Sequence, residues 1–310
     1  MTSVHTLNWK NFPEGFTPFF LDPTGVNLEI KEISAGVYAL LSSIPNVDNT
    51  GFVVGENGVL VIDSHINIAM AQLIQKRIRE VTNKPILYLV NSNYHGDHTF
   101  GNCAFRKEVV LIQHKITAQL IEYFDEEKEF LFPCVGNKPK IYEGITLRRP
   151  DIIFDDFMEI NLGGITVELH YFGPANTPGD TITYVPSAKC AWTGNMTGGN
   201  LIITLESDTN TYLQSLRKFS QSIEVDILIP AHNPISDGKI LDGYILYLTQ
   251  LIDSVEKSKK DGKSLDETAK TTPLNFNQPY SPPSDHPRRK FFEELHAFNV
   301  RKAYGSILNN

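Results

Sequence analysis

Cysteine is almost missing from this chain. Its three residues, Cys103, Cys134 and Cys190, are odd in number and widely spaced. That argues against a disulfide framework and a cysteine-rich zinc site, and leaves them as small apolar side chains for a core. Positive charge is also short: 28 Lys and Arg face 36 Asp and Glu, a formal charge of -8 with a pI near 5.6. Nucleic-acid binders gather excess Lys and Arg on one face, so nucleic acid is not expected as a partner, and the basic stretch "PRRKFF" is too short and mixed to change this. No run approaches the ~20 apolar residues of a membrane span. The opening "MTSVHTLNWKNFPEGFTPFF" lacks the charged start and apolar run of a secretory signal. Together these absences point to a soluble, cytoplasmic protein with no membrane partner.

What is present is ordinary globular composition: 310 residues, 41% hydrophobic and 10% aromatic. "GVYALLSS" and "GFVVGENGVLVIDS" read as strands with a Gly-Glu-Asn-Gly turn. Residues 67 to 82 place Ile68, Ala71, Ile74, Ile78 and Val81 at helical spacing. "ILYLVNS" is a buried strand, "HKITAQLIEYF" a helix, "FMEINLGGITVELHYF" a hairpin turning at Gly-Gly, and "DTITYVPSAKCAWTGN" a strand pair. A helix near 209 to 222 precedes the strand "VDILIPAHNP". Two runs of strands closed by helices predict an α/β chain with two packed sheets and helices outside. Beyond residue 236 come a helix from about 239 to 260, the Pro-rich "TTPLNFNQPYSPPSDHPRRK" and a helical ending. The Pro-rich segment fits an ordered wrap, a homodimer arm or a flexible linker.

At a strand end, where α/β folds place active-site loops, stands "VNSNYHGDHTFGN". His95, Asp97 and His98 offer two imidazoles and a carboxylate near one point, donors that suit Zn²⁺. Three further strand-end loops supply Asn176 in "FGPANTPGD", Asn195 in "WTGNMTGG" and His232 in the stiff "IPAHNP".

These loops in this order, with Asp63 upstream, resemble the metallo-β-lactamase fold superfamily over roughly residues 30 to 235. The resemblance implies an αββα sandwich of two mixed sheets with outer helices, one domain spanning 1–310, and an extension from about 236. The superfamily pattern is H-x-H-x-D-H, a His before T-x-G-D, an Asp after T-G, and a final His. Here Asn93 replaces the first His, Asn176 the downstream His and Asn195 the bridging Asp. One metal site is thereby dismantled. The other keeps Asp97, His98 and His232 with the Asn195 amide, implying one Zn²⁺ with Asp97 as its sole anionic ligand. His95, released from ligation, becomes a general base near its ordinary pKa.

One metal on Asp, His, Asn and His, with a free His two residues before the Asp, is similar to the hydrolytic chlorothalonil dehalogenases. That implies water or hydroxide on zinc displacing an aromatic chlorine from a small-molecule substrate; Asn93 and Asn176 are then candidate amide donors to it, and Trp192 reads either as a ring-stacking substrate contact or, more simply, as core. Lactone, ester or β-lactam hydrolysis and a non-catalytic metal-binding sensor or scaffold are the alternatives. Asp63 reads either as an outer-sphere partner of the metal loop or as a cap. Phe100 reads as core, "DEEKEF" as a solvated face, and His114, His170, His286 and His296 as surface or structural.

Overall fold

The computed structural model describes residues 19–197 and 206–307. Strands β1 (Leu28–Ser34), β2 (Val37–Ser42), β3 (Thr50–Val54) and β4 (Val59–Ile62) form an antiparallel meander, and helix α1 (Ile68–Val81) then crosses to β5 (Ile86–Val90). Asn67 caps α1 by accepting from the Met70 amide. The loop after β5 carries a single turn, α2 (Gly96–Thr99), before β6 (Val110–His114). The expected helix from His114 onward is α3 (Lys115–Leu120), continued through a 3-10 turn into α4 (Phe124–Leu131). β7 (Ile152–Phe154) completes a seven-stranded sheet in which β4 to β7 run parallel.

The second sheet follows: β8 (Phe157–Asn161), β9 (Thr166–His170), β10 (Ile182–Val185) and β11 (Cys190–Gly194) pair antiparallel, and β12 (Ile227–Pro230) adds in parallel beyond α5 (Thr209–Ser222). Gly163 and Gly164 turn the β8–β9 hairpin at φ of 81° and 75°, left-handed backbone that favours glycine. Helices α6 (Ile240–Lys260), α7 (Leu265–Thr271) and α8 (Arg289–Ile307) finish the described chain.

Strand β4 shows why the layers stack. All four of its residues are buried, as expected for a strand covered on both faces. Leu60 and Ile62 enter the core between the sheets with Val167, Leu169 and Ile229, whereas Val59 and Val61 pack under Ile74 and Ile78 of α1. The second sheet turns Ile182 and Leu228 outward onto Leu216 and Phe219 of α5 and Tyr244 and Leu248 of α6. The result is the expected αββα sandwich of two mixed sheets.

The Pro-rich segment packs on the fold of its own chain, with Leu274 and Tyr280 in the core that holds Tyr244 and Leu248. α8 packs on α5, α6 and α7, and Phe292 and Leu295 join the same core as Tyr244. His296 is the pin: its Nδ1 meets the Tyr247 hydroxyl at 3.1 Å and its Nε2 the Thr272 carbonyl at 3.0 Å. Burial lowers the His296 pKa to about 4. The unfolded chain, with histidine near 6.5, therefore takes up a proton that the folded one refuses. His296 should cost the fold nothing above pH 6.5 and should destabilise it progressively as pH falls toward 4. Melting temperatures of wild type and His296→Gln between pH 7.5 and 4.5 should show the steeper acid loss in wild type.

Cys134 and Cys190 are buried and Cys103 half-buried, all as free thiols. No described helix is long and apolar enough to cross a membrane.

Candidate metal centre and cavity

Five loops are stitched together before any ligand is considered. Ser64 donates its amide to the His98 carbonyl at 2.9 Å and Gly101 donates to His65 at 2.9 Å, joining the end of β4 to the loop after β5. Gly101 sits so close that a Cβ would lie 2.1 Å from the Ser64 carbonyl oxygen. The Thr181 amide bonds the Ser92 carbonyl at 2.7 Å, tying in the "NTPGD" loop. The Asn49 side chain donates to the carbonyls of Pro230 (3.0 Å) and Asn233 (2.7 Å), which draws the β2–β3 loop against the His232 loop.

That last stitch delivers a residue the sequence reading missed. Asp48, Asp97, His98 and His232 bring one ligand atom each within 4.8 Å of one another. The Asn195 Oδ1 lies 3.2 Å from His98 Nε2, so the amide faces the same point. Asp48 is wholly buried, and both its oxygens, with Asp97 Oδ1, have no hydrogen-bond partner. Burial, then repulsion from Asp97, pushes the Asp48 pKa well up, whereas the histidines around Asp97 outweigh its burial and lower that carboxyl. Two desolvated carboxylates with orphan oxygens are costly unless a cation sits between them.

Both imidazoles turn a nitrogen to the cluster, but burial of His98 is outweighed by Asp63, Asp97 and Asp48, which raise its pKa well above the ordinary value, so a bound ion would have to displace its proton. His98 Nδ1 donates to Asp63 Oδ2 at 2.9 Å, which leaves Nε2 facing the cluster, 3.8 Å from Asp48 and from Asp97. Asp63 is itself held by the Ser92 amide and hydroxyl, each at 2.7 Å. His232 Nδ1 donates to the Asn46 carbonyl at 3.0 Å, leaving Nε2 3.5 Å from Asp97. Burial lowers the His232 pKa to about 4, so it is neutral at physiological pH, the form that binds metal. This carboxylate–histidine or carbonyl–histidine backing is the usual outer sphere of a metal ligand. The donor set fits a divalent ion such as Zn²⁺. With Asp48 present, Asp97 is not the sole anionic donor, and a dication there would be formally neutralised rather than left at +1.

His95 lies outside that cluster. Asn93 positions it, accepting the His95 amide at 2.9 Å on Oδ1. The His95 Nδ1 then meets Glu127 Oε1 at 2.9 Å, and its Nε2 is 3.5 Å from Glu206 Oε1. Tyr94 donates its hydroxyl to the same Glu206 oxygen. Burial works against the imidazolium, but Glu127, Glu206 and Asp97 outweigh it and raise the pKa to about 9. His95 is therefore not the ordinary histidine near 6.5 that the sequence suggested. The run "DEEKEF" is not wholly solvated either: Glu127 is 2% exposed, on the face of α4 that also buries Phe130 and Leu131.

A cavity of about 670 Å³ opens onto this site. His95, Asp97, Asn176, Asn195 and His232 line its floor. Asn93 is not among its lining residues and serves the turn instead. Trp192 is also absent: its Nε1 donates to the Thr50 carbonyl at 3.2 Å, its ring packs between the sheets, and Phe100 is buried likewise. Among the described lining residues Arg288, which is exposed, is the one Lys or Arg.

The sequence profile of the Metallo-beta-lactamase superfamily matches residues 44–232. A linear primary-alkylsulfatase from Pseudomonas sp. (strain ATCC 19151) is 20% identical over 229 residues, which are 62% of this chain and 43% of that protein. This chain thus spans less than half of that relative. Among solved structures, the stereoselective inverting sec-alkylsulfatase Pisa1 from Pseudomonas sp. is similar at a TM-score of 0.70 and 16% identity, over 91% of this chain and 50% of that one. A metallo-beta-lactamase from Pontibacter korlensis is similar at a TM-score of 0.59 and 17% identity, over 72% of this chain and 99% of that one. At such identities the likeness is one of fold.

Proposed function

This chain belongs to the Metallo-beta-lactamase superfamily, and from that premise we propose that it is a single-metal-ion hydrolase that replaces an aromatic chlorine by hydroxyl on a neutral, electron-poor substrate. The observation that carries this reading is the split of the histidines. His98 and His232 belong to one cluster with Asp48 and Asp97, while His95 lines the same cavity outside it, backed by Glu127. The Asn195 amide beside His98 agrees with the dehalogenase-like ligand pattern.

Zn²⁺ held by Asp48, Asp97, His98 and His232, with Asn195 as a further donor, would supply Lewis acidity and make a water more acidic. The chain's own residues do the rest. The Glu127 carboxylate fixes Nδ1–H of His95 and so presents Nε2 as the proton acceptor. Water oxygen bonds the chlorine-bearing carbon, its proton passes to His95, and chloride departs with the C–Cl electron pair. Asn176 offers a neutral amide to charge that develops on the ring. His95 accepts a proton only as neutral imidazole, and a cation at the neighbouring cluster opposes its imidazolium form. Metal loading and base function are therefore linked.

Charge decides between substrates. The floor and its backing contain Asp48, Asp97, Glu127 and Glu206; among the described residues Lys302 is the cation that acts on Glu206, and none lines the floor beside Asp48 and Asp97. A sulfate monoester would bring another anion to this floor, whereas a neutral chloroaromatic would not. Chloride release from chlorothalonil by the full-length zinc-loaded protein is the test, with chelator-stripped protein alongside. Release that needs zinc supports the reading. A protein shown by elemental analysis to hold one zinc, yet releasing no chloride and cleaving neutral esters or lactones, would overturn it.

A further inference from the structure

The floor of the cavity comes from the superfamily core, but its outer wall does not. Phe291, Phe292 and Leu295 of α8 line it together with Leu21 and Phe130. The α8 residues lie outside the 44–232 stretch matched by the superfamily profile. An apolar cavity of about 150 Å³ accepts benzene, so about 670 Å³ leaves most of this space unfilled by one ring. The lining cation is already engaged: the Arg288 guanidinium lies 4.2 Å from the Phe291 ring centroid and donates to Asn46 Oδ1 at 3.4 Å. The α8 side chains Phe291, Phe292 and Leu295 therefore present hydrocarbon to the cavity, with the charges of Arg288 and Glu29 on exposed residues of its lining.

We propose that the substrate carries a neutral apolar body beyond its reacting centre, an aryl or alkyl group of several carbons, and that Phe291, Phe292 and Leu295 select it. This rests on the hydrolase reading only for orientation, with the reacting end at His95 and the body at α8. Phe292 and Leu295 are buried against the helical core while bordering the cavity, so the wall is fixed by the packing of α8. Specificity then resides in the extension and chemistry in the core.

The test needs no turnover. The zinc-loaded protein is titrated with the neutral probe N-phenyl-1-naphthylamine, and straight-chain primary alcohols from butanol to octanol are used to displace it; a probe that does not bind overturns the assignment. Each added methylene should tighten competition by about fourfold, the ratio expected for ~0.8 kcal/mol per buried methylene. In Phe291→Ala and Leu295→Ala the increment should fall below about twofold with zinc content unchanged, and in Phe157→Ala, far along the exposed edge strand β8, it should stay at the wild-type value. Phe291 is half-buried, so its variant carries the test if Leu295→Ala fails to fold. A flat alcohol series in wild type, or full increments in both α8 variants, overturns the assignment. Chloride release is scored separately: its absence beside intact increments strikes the reaction, and its presence beside a flat series strikes the wall.

Discussion

Asp48→Asn is expected to weaken zinc binding by about 100-fold or more while raising the melting temperature of the metal-free protein. Loss of an outer partner of a metal ligand typically costs about 10–100-fold in affinity, and a ligating carboxylate should reach at least the upper figure. The opposite sign in the metal-free state follows from the unpartnered oxygens. Burial and the neighbouring Asp97 raise the Asp48 pKa well above the ordinary carboxylate value. The folded protein therefore pays for an ionised Asp48 at every pH above its folded pKa, and is relieved as pH falls through that value toward the unfolded one. Asparagine carries no such charge. Competition against a chromophoric chelator gives the affinity, and melts of the stripped and loaded proteins at pH 7 give the two signs. Unchanged affinity in Asp48→Asn would remove Asp48 from the ligand set and leave Asp97, His98, His232 and the Asn195 amide.

His95→Gln is expected to lower kcat for chloride release by about 10²–10⁴-fold, the usual span for a general base, with the zinc content unchanged. Glu127→Gln separates position from charge. The amide still reaches His95 Nδ1 and the Gly96 amide, which Glu127 now accepts at 2.9 Å and 3.0 Å, but the largest contribution opposing burial is gone. The His95 pKa should then fall from about 9 toward or below 6.5. Nuclear magnetic resonance titration of the imidazole nitrogens in the metal-free variant reads this directly. Loss of zinc from His95→Gln would instead make His95 a ligand and return it to the superfamily's ordinary arrangement.

Local pattern carried far in some places and stopped at others for identifiable reasons. The stripe of Ile74 and Ile78 and the cap at Asn67 bound α1 almost to the residue, and Gly163-Gly164 marked the β8–β9 turn. Asp97, His98 and His232 were legible because two histidines and a carboxylate crowd one strand end and a proline-flanked histidine ends another. Asp48 was not, since in "PNVDNTG" it looks like any turn acid, and only the bonds of Asn49 to Pro230 and Asn233 bring it across. Glu127 left a usable signal: an acid in line with Phe130 and Leu131 on a helix face that is otherwise apolar. Glu206 left none, because its environment is made by Tyr94 and His95 from a distant loop. Trp192 left both readings open in sequence, because a tryptophan near a ligand loop and one lodged between two sheets look alike in one dimension, and its place is the core.

The cavity is bordered by Leu21, Phe292 and Leu295, with the ligands between them in chain order. On a ribosome these parts appear one after another. Asp48 emerges before α1, Asp97 and His98 together after β5, His232 only after β12, and the apolar wall last of all, so three members of the cluster are made long before the fourth. Such long-range closure is slow to form. The four-residue cluster is thus complete only once β12 is made, and the outer face of the second sheet is covered only once α6 and α8 have docked.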